Sequence, residues 1–267
     1  MTDPRTPADD EASEPQPSDT RATTDDFLAR QVGQIVDGAE TRTRGAAPQH
    51  TREGLDREER EIKDNVLRMG SLVADQIMGA MAALEAHDAE AATAVIIRDG
   101  RLNEVQRTIS SLIARTIATQ QPVARDLRFL LALDHVGYEL ERMGDHAASV
   151  AKQARKLAPH PPLGHNVHLP EMGDLCARQV REVLHALVEV DEGRARQVAA
   201  VDDDIDRLYH ATFDEVLDLM RHDPDNVDRG ARILFAAHYL ERIGDRVTNI
   251  AEDVVFLATG DIEDLNP

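Results

Sequence analysis

Leu140 to Lys152 reads LERMGDHAASVAK, and Leu240 to Glu252 says nearly the same again, LERIGDRVTNIAE. Each copy sets two acids four residues apart, Glu141 with Asp145 and Glu241 with Asp245. On a helix such residues are neighbours, and two like charges there cost about 0.2–0.5 kcal/mol. The first phrase continues an apolar seam, Phe129, Leu133, Val136, Leu140, Met143, Ala147 and Val150, in steps of four and three. The second does so through Ile233, Ala237, Leu240, Gly244, Val247 and Ala251. At 100° per residue both acid pairs fall on the flank and back of their helices, away from the seam. Asp134 and Tyr138 share the first acidic face; His238, Asn249 and Glu252 share the second.

The repetition extends well beyond the phrase. Ala83, Leu84 and Asp88 recur 103 positions later as Ala186, Leu187 and Asp191, and Asp99 and Asn103 recur at the same offset as Asp202 and Asp206. The two acidic phrases are offset by 100, so the second copy lacks three residues between its last two helices. A register kept through two helices marks an internal duplication. The first helix spans about 56–86, with Ile62, Val66, Met69, Val73, Ile77 and Met81 at helical steps. Asp88 caps a second helix reaching Gln120, and a third starts beside Pro122. Three more follow at about 170–190, 192–221 after Asp191, and 225–259. The fold class expected is all-α, two tandem three-helix bundles. The division expected is a disordered, acidic and Pro-rich extension over 1–52, repeat one over 53–157, a linker over 158–168, repeat two over 169–260 and a tail over 261–267. In the extension, Phe27, Leu28, Val32, Ile35 and Val36 can form one face of a short helix.

Composition agrees with packed helices: 267 residues, 3% aromatic, no Trp. The formal charge of −20 excludes nucleic acid as a natural partner and suits cations or basic protein surfaces. A single cysteine, Cys176, excludes an intrachain disulfide and a Cys-based zinc site, and its apolar setting marks it as a buried, inert thiol. With no leader pattern and no apolar run of spanning length, the expected location is the cytoplasm.

In each repeat, the second helix offers an oxygen pair at the same four-residue spacing, Asp99 with Asn103 and Asp202 with Asp206. Carboxylates on adjacent helices can converge on one cation, and oxygen donors suit hard or borderline ions. A solvated surface relieved by Arg142 and Arg242 is the alternative.

QPVARDLRFLLAL with LERMGDHAASVAK, and ILFAAHYLERIGDRVTNIAEDVVFLATG, resemble the two signature segments of the PhoU family. The similarity includes EIKDNVLRMGSLV and DDDIDRLYHATFDEVL and covers about 55–260. The resemblance implies two three-helix bundles, no enzymatic activity and multinuclear metal clusters on E/DxxxD surfaces. It implies a negative regulator of phosphate uptake that couples the ATPase subunit of a phosphate ABC transporter to a sensor histidine kinase. A homodimer is expected, with the membrane reached only through partners. The metal ligands implied are Glu141, Asp145 and Asp99 in repeat one, and Glu241, Asp245, Asp202 and Asp206 in repeat two. The ion implied is divalent or trivalent: Fe, Mn, Mg or Zn. Asn103 leaves the first cluster one charge poorer, and Arg246 stands where the family carries His, which His146 keeps. Clustered carboxylates with metals also hydrolyse phosphate esters. The chain lacks the Gly-rich phosphate cradle and the HExxH pattern of such enzymes. A metal-free helical scaffold is the third reading.

Overall fold

The structure, a computed structural model, describes residues 49–163 and 168–266. The apolar face expected around Phe27–Val36 lies outside the described residues. Among the described residues there are seven α-helices: α1 (Gln49–Glu85), α2 (Ala89–Gln120), α3 (Ala124–Leu157), α4 (Leu169–Glu189), α5 (Glu192–Ala199), α6 (Asp202–His222) and α7 (Val227–Thr259). Among the described residues there is no strand, so the body is all-α, built as two tandem three-helix repeats. None of these helices is long and apolar enough to cross a membrane.

Local chemistry sets the helix ends. Asp88 accepts from the backbone N–H groups of Glu90 and Ala91, and its repeat-two counterpart Asp191 accepts from Arg194 N–H. These carboxylates satisfy donors that have no partner inside the helix. Val123, after Pro122, is extended and α3 begins at the next residue. α1 begins at Gln49, earlier than its apolar spacing marks, and Leu55 in its early turns is buried. α7 closes on Gly260, whose φ of 86° is a left-handed cap.

One expected helix is two. The stretch expected to run unbroken over 192–221 breaks at Ala200 and Val201, and α6 restarts with Asp202, Asp203 and Asp204 in its first turn. Three consecutive carboxylates are favoured at a helix start, where unpaired N–H groups and the positive end of the dipole lie. The equivalent point in α2 reads Asp99-Gly100-Arg101, and that helix runs through.

A single hydrophobic core runs through both repeats, and every seam residue from Leu133 to Val150 and from Ile233 to Ala251 is buried in it, while Phe129 packs at its margin. The repeats meet through reciprocal contacts. A methyl on Gly70 would overlap Leu184, and one on Gly173 would overlap Met81. Gly173 is the duplicate of Gly70, and Leu184 is the duplicate of Met81. On the other helix pair, Glu139 meets Arg246 while its duplicate Tyr239 stacks on His146, the duplicate of Arg246. Reciprocity of this kind is the mark of two-fold packing, here between halves of one chain.

Charge is buried at that junction. His135 Nδ1–H donates to Asp253 at 2.7 Å, His135 Nε2 lies 3.3 Å from Glu139, and Arg246 donates to Glu139 at 3.2 Å. All four are buried, two cations against two anions, and they tie α3 to α7.

Candidate functional site

The glycine of each repeated phrase exists for a close approach. A Cβ on Gly144 would overlap the end of Leu102 and lie 3.4 Å from Asp99 Oδ1. A Cβ on Gly244 would overlap Asp202 Oδ1 itself and lie 3.3 Å from Ile205. The second helix of each repeat therefore presses its acid onto the third helix one residue before the phrase's aspartate.

In repeat one the junction is satisfied internally. Gln76 of α1 donates its amide to Asp99 Oδ1 at 3.0 Å and to the Gly144 carbonyl at 3.1 Å. Arg142 donates to Asp145 at 2.9 Å. Burial, the Asp145 charge and Asp99 push the Glu141 carboxyl above its ordinary value, with Arg142 opposing. Asn103 is half-buried one turn after Asp99. Farther along, Gln106 donates to Ser110, and Ser110 to Asp134.

Repeat two is more charged and less satisfied. Asp202 is only 3% exposed, although periodicity alone sets its helix's acids apart from the core. Gln179, the duplicate of Gln76, donates instead to the Val198 carbonyl at 3.2 Å, just before the helix break. Asp202 Oδ1 is left buried without a hydrogen-bond partner, while Asn266 of the C-terminal tail donates to Oδ2 at 2.6 Å. Burial first, then Asp245, Asp206 and Glu241, drive the Asp202 carboxyl up to about 7. Glu241 Oε2 is also buried with no hydrogen bond; His238 Nδ1 stands 3.4 Å away at ion-pair distance. Arg242 donates to Asp245 at 2.9 Å, as Arg142 does to Asp145.

The acids expected to gather thus do so within each repeat closely enough to repel. Among the described residues, however, no three His, Cys, Asp or Glu side chains form a ready-made ligand set for one ion. The oxygens fit an oxygen-liganded cation best in repeat two, because two buried carboxylate oxygens there have no hydrogen-bond partner, although His238 stands at ion-pair distance from one of them. Arg246 is turned away into the inter-repeat junction. His146 stays neutral, its pKa held down near 4 by burial and by Arg246, Arg242 and Arg142. Cys176 is fully buried, donates to the Leu240 carbonyl at 3.3 Å and has its thiol pKa raised by burial, as expected of an inert thiol. Sequence reasoning missed Gln76 and Asn266, which pair with the acids. Gln76 carried a signal, since Gln179 repeats it at the same offset; Asn266 carried none.

Comparison with known proteins identifies the family. The sequence model of the PhoU domain matches twice, over residues 66–154 and 169–254. A phosphate-specific transport system accessory protein PhoU homolog of Clostridium acetobutylicum is 37% identical over 219 residues, covering 81% of this chain and 99% of that protein. A PhoU homolog of Streptococcus pneumoniae is 34% identical, over 80% of this chain and all of that protein. Among solved structures, PhoU from Pseudomonas aeruginosa superposes with a TM-score of 0.74 at 33% identity, covering 77% of this chain and 99% of that one. The phosphate transport system regulatory protein PhoU from Streptococcus pneumoniae gives 0.73 at 32%, covering 79% and 99%. Two matched repeats, their order and the shared fold make this chain a member of the PhoU family.

Proposed function

We propose that the chain is a non-enzymatic accessory regulator of a phosphate-specific transport system, acting in the cytoplasm as a homodimer. In this reading it restrains phosphate uptake and phosphate-starvation signalling by linking the ATPase subunit of the transporter to a sensor histidine kinase. The names of its relatives support the transporter association. The observation that carries a metal-dependent site is the pair of buried oxygens without a hydrogen bond, Asp202 Oδ1 and Glu241 Oε2. A cation bound there would supply neutralising charge and join the second-helix acid to the third helix. Glu241, Asp245, Asp202 and Asp206 would hold it, after rotation of Asp245 away from Arg242. Glu141, Asp145 and Asp99 would form a weaker counterpart, because Asn103 contributes no charge and Gln76 already occupies Asp99.

Metal analysis and melting with and without chelator test this. Glu241→Ala with Asp245→Ala lowers bound metal and removes metal-dependent stabilisation, since a ligand that binds only the folded state stabilises it by mass action. Glu141→Ala with Asp145→Ala changes both less. Unchanged metal content in the repeat-two variant would sink the ligand assignment and favour the plain scaffold. Turnover of phosphate esters by metal-loaded protein, lost in that variant, would favour the hydrolase.

A further inference from the structure

The aromatic residues are few and unevenly placed. Phe213, Tyr209, His238, Tyr239 and His146 form a continuous chain of rings, with successive centroids 6.5, 6.3, 6.0 and 6.1 Å apart. Phe235 lies one helical turn before Tyr239 and is 54% exposed, and Phe213 is 40% exposed. Exposed rings grouped on one face of a soluble chain mark a contact surface, because they retain apolar area that folding left in water.

The duplication supplies an internal control. In repeat one the positions matching Tyr209 and Phe213 are Gln106 and Ser110, and these close the helix groove with a hydrogen-bonded run to Asp134. Leu234 stands where Asp134 would recur. The same fold position is closed by hydrogen bonds in one repeat and in the other holds two rings, Tyr209 half-buried and Phe213 exposed.

The charge around the rings selects the partner. Among the described residues, Phe129, Tyr138 and Phe256 each carry a cation of this chain over the ring: Lys63 at 4.5 Å, Arg142 at 5.7 Å and Arg128 at 5.3 Å. Among those same residues, the rings of Tyr209, Phe213, Phe235 and Tyr239 carry none. Glu241 lies against His238, and Asp206 precedes Tyr209 by one turn. Phe213 and Phe235 are the exposed rings of this face, and exposed ring faces beside carboxylates accept guanidinium groups, by cation–π attraction and by paired hydrogen bonds. An anionic lipid surface is repelled by a chain at −20.

We propose that the face formed by Tyr209, Phe213, Phe235, His238 and Tyr239 docks an arginine-bearing segment of a partner protein. It rests on the accessory-protein reading above and names the surface that would serve it.

The probe is a fluorescein-labelled amphipathic peptide of leucine and arginine, titrated against the full chain by anisotropy. Its partner peptide carries citrulline in place of arginine. Phe213→Ala with Phe235→Ala weakens binding of the arginine peptide at least about tenfold, the scale of losing interface hot spots. Gln106→Ala with Ser110→Ala, on the matched face of repeat one, leaves it within about twofold. The citrulline peptide binds the wild type at least about tenfold more weakly, since it offers no charge to the rings. Both replaced phenylalanines are exposed, so the variant retains the wild-type circular dichroism and melting. Equal affinity of wild type and the phenylalanine variant, or equal affinity for the two peptides, overturns the proposal. So does self-association or capture by phosphatidylserine vesicles that the wild type shows and the variant loses. Metal content is read on the same samples. Peptide binding indifferent to the rings with metal retained removes this surface alone, whereas wild-type protein that holds no metal yet binds the arginine peptide through the rings removes only the metal site.

Discussion

At the scale of single residues, the repeated phrase is explained less by its acids than by its glycine. Gly244 has Asp202 Oδ1 where a side chain would start, and Gly144 has Leu102 there. Gly100, exposed on α2, has nothing within 4 Å of the position a Cβ would take. The two kinds of glycine should therefore respond in opposite directions to the same change. Gly100→Ala stabilises by about 0.5–1 kcal/mol, because alanine loses less backbone freedom in a helix. Gly244→Ala destabilises by about 1–3 kcal/mol, the usual cost of forcing extra volume into a packed junction. Urea unfolding of both variants, with chelator present, measures the contrast. A stabilised Gly244→Ala would show that Asp202 swings aside freely, so that close packing against Gly244 is not what keeps it buried.

At the scale of elements, α3 and α7 are held by the four buried charges as well as by their seams. Burial alone would depress the His135 pKa, but Asp253 and Glu139 outweigh it and raise it to about 10 from an ordinary 6.5. Burial pushes Asp253 up while His135 pulls it down; Glu139, resisted by burial, is lowered by His135 and Arg246. Between pH 6.5 and about 10 the folded chain keeps a proton on His135 that the unfolded chain releases. Its stabilisation is thus complete below the first value and is lost as pH rises through the second. His135→Leu, which strands Asp253, costs about 3–5 kcal/mol near neutral pH, and adding Asp253→Leu recovers most of that. The cost shrinks towards pH 10, and chemical unfolding across that range checks it; a pH-independent cost would mean that His135 is neutral in the folded chain. The links between α3 and α7 were not read from the sequence, because those partners lie 107 and 118 positions apart and only packing joins them. What was legible was local or periodic: the Asp88 and Asp191 caps, the two seams, and the placing of Glu141 and Glu241 off those seams. The break before α6 escaped because apolar spacing continues across it, and with it escaped the burial of Asp202. The one hint of the charged junction was Arg246 against His146, the mismatch in an otherwise repeated phrase.

At the scale of the whole molecule, duplication has produced halves that share a core rather than two independent bundles. Met81 fills the space at Gly173, Leu184 fills the space at Gly70, and α3 lies along α7. Each half taken alone would bare both of these helix surfaces to water, apolar area that contributes about 25 cal/mol per Å² when buried. A half of about one hundred residues has little stability to spare, since whole domains retain only about 5–15 kcal/mol. The full chain should accordingly unfold in one transition, with the calorimetric and van't Hoff enthalpies equal, despite its two family repeats. Residues 49–163 and 168–266 made separately should each lack a cooperative melt and expose dye-binding apolar surface. Mixed in equal amounts they should recover helix content and a melting transition that depends on concentration, because the reciprocal contacts then form between chains. His135→Leu in the first fragment should weaken that recovery, since its partner Asp253 belongs to the second. Two separate transitions in the intact chain, or a sharp melt from either fragment alone, would show that each repeat folds by itself. The junction would then be a docking contact between finished bundles, and the buried charges would only set their angle.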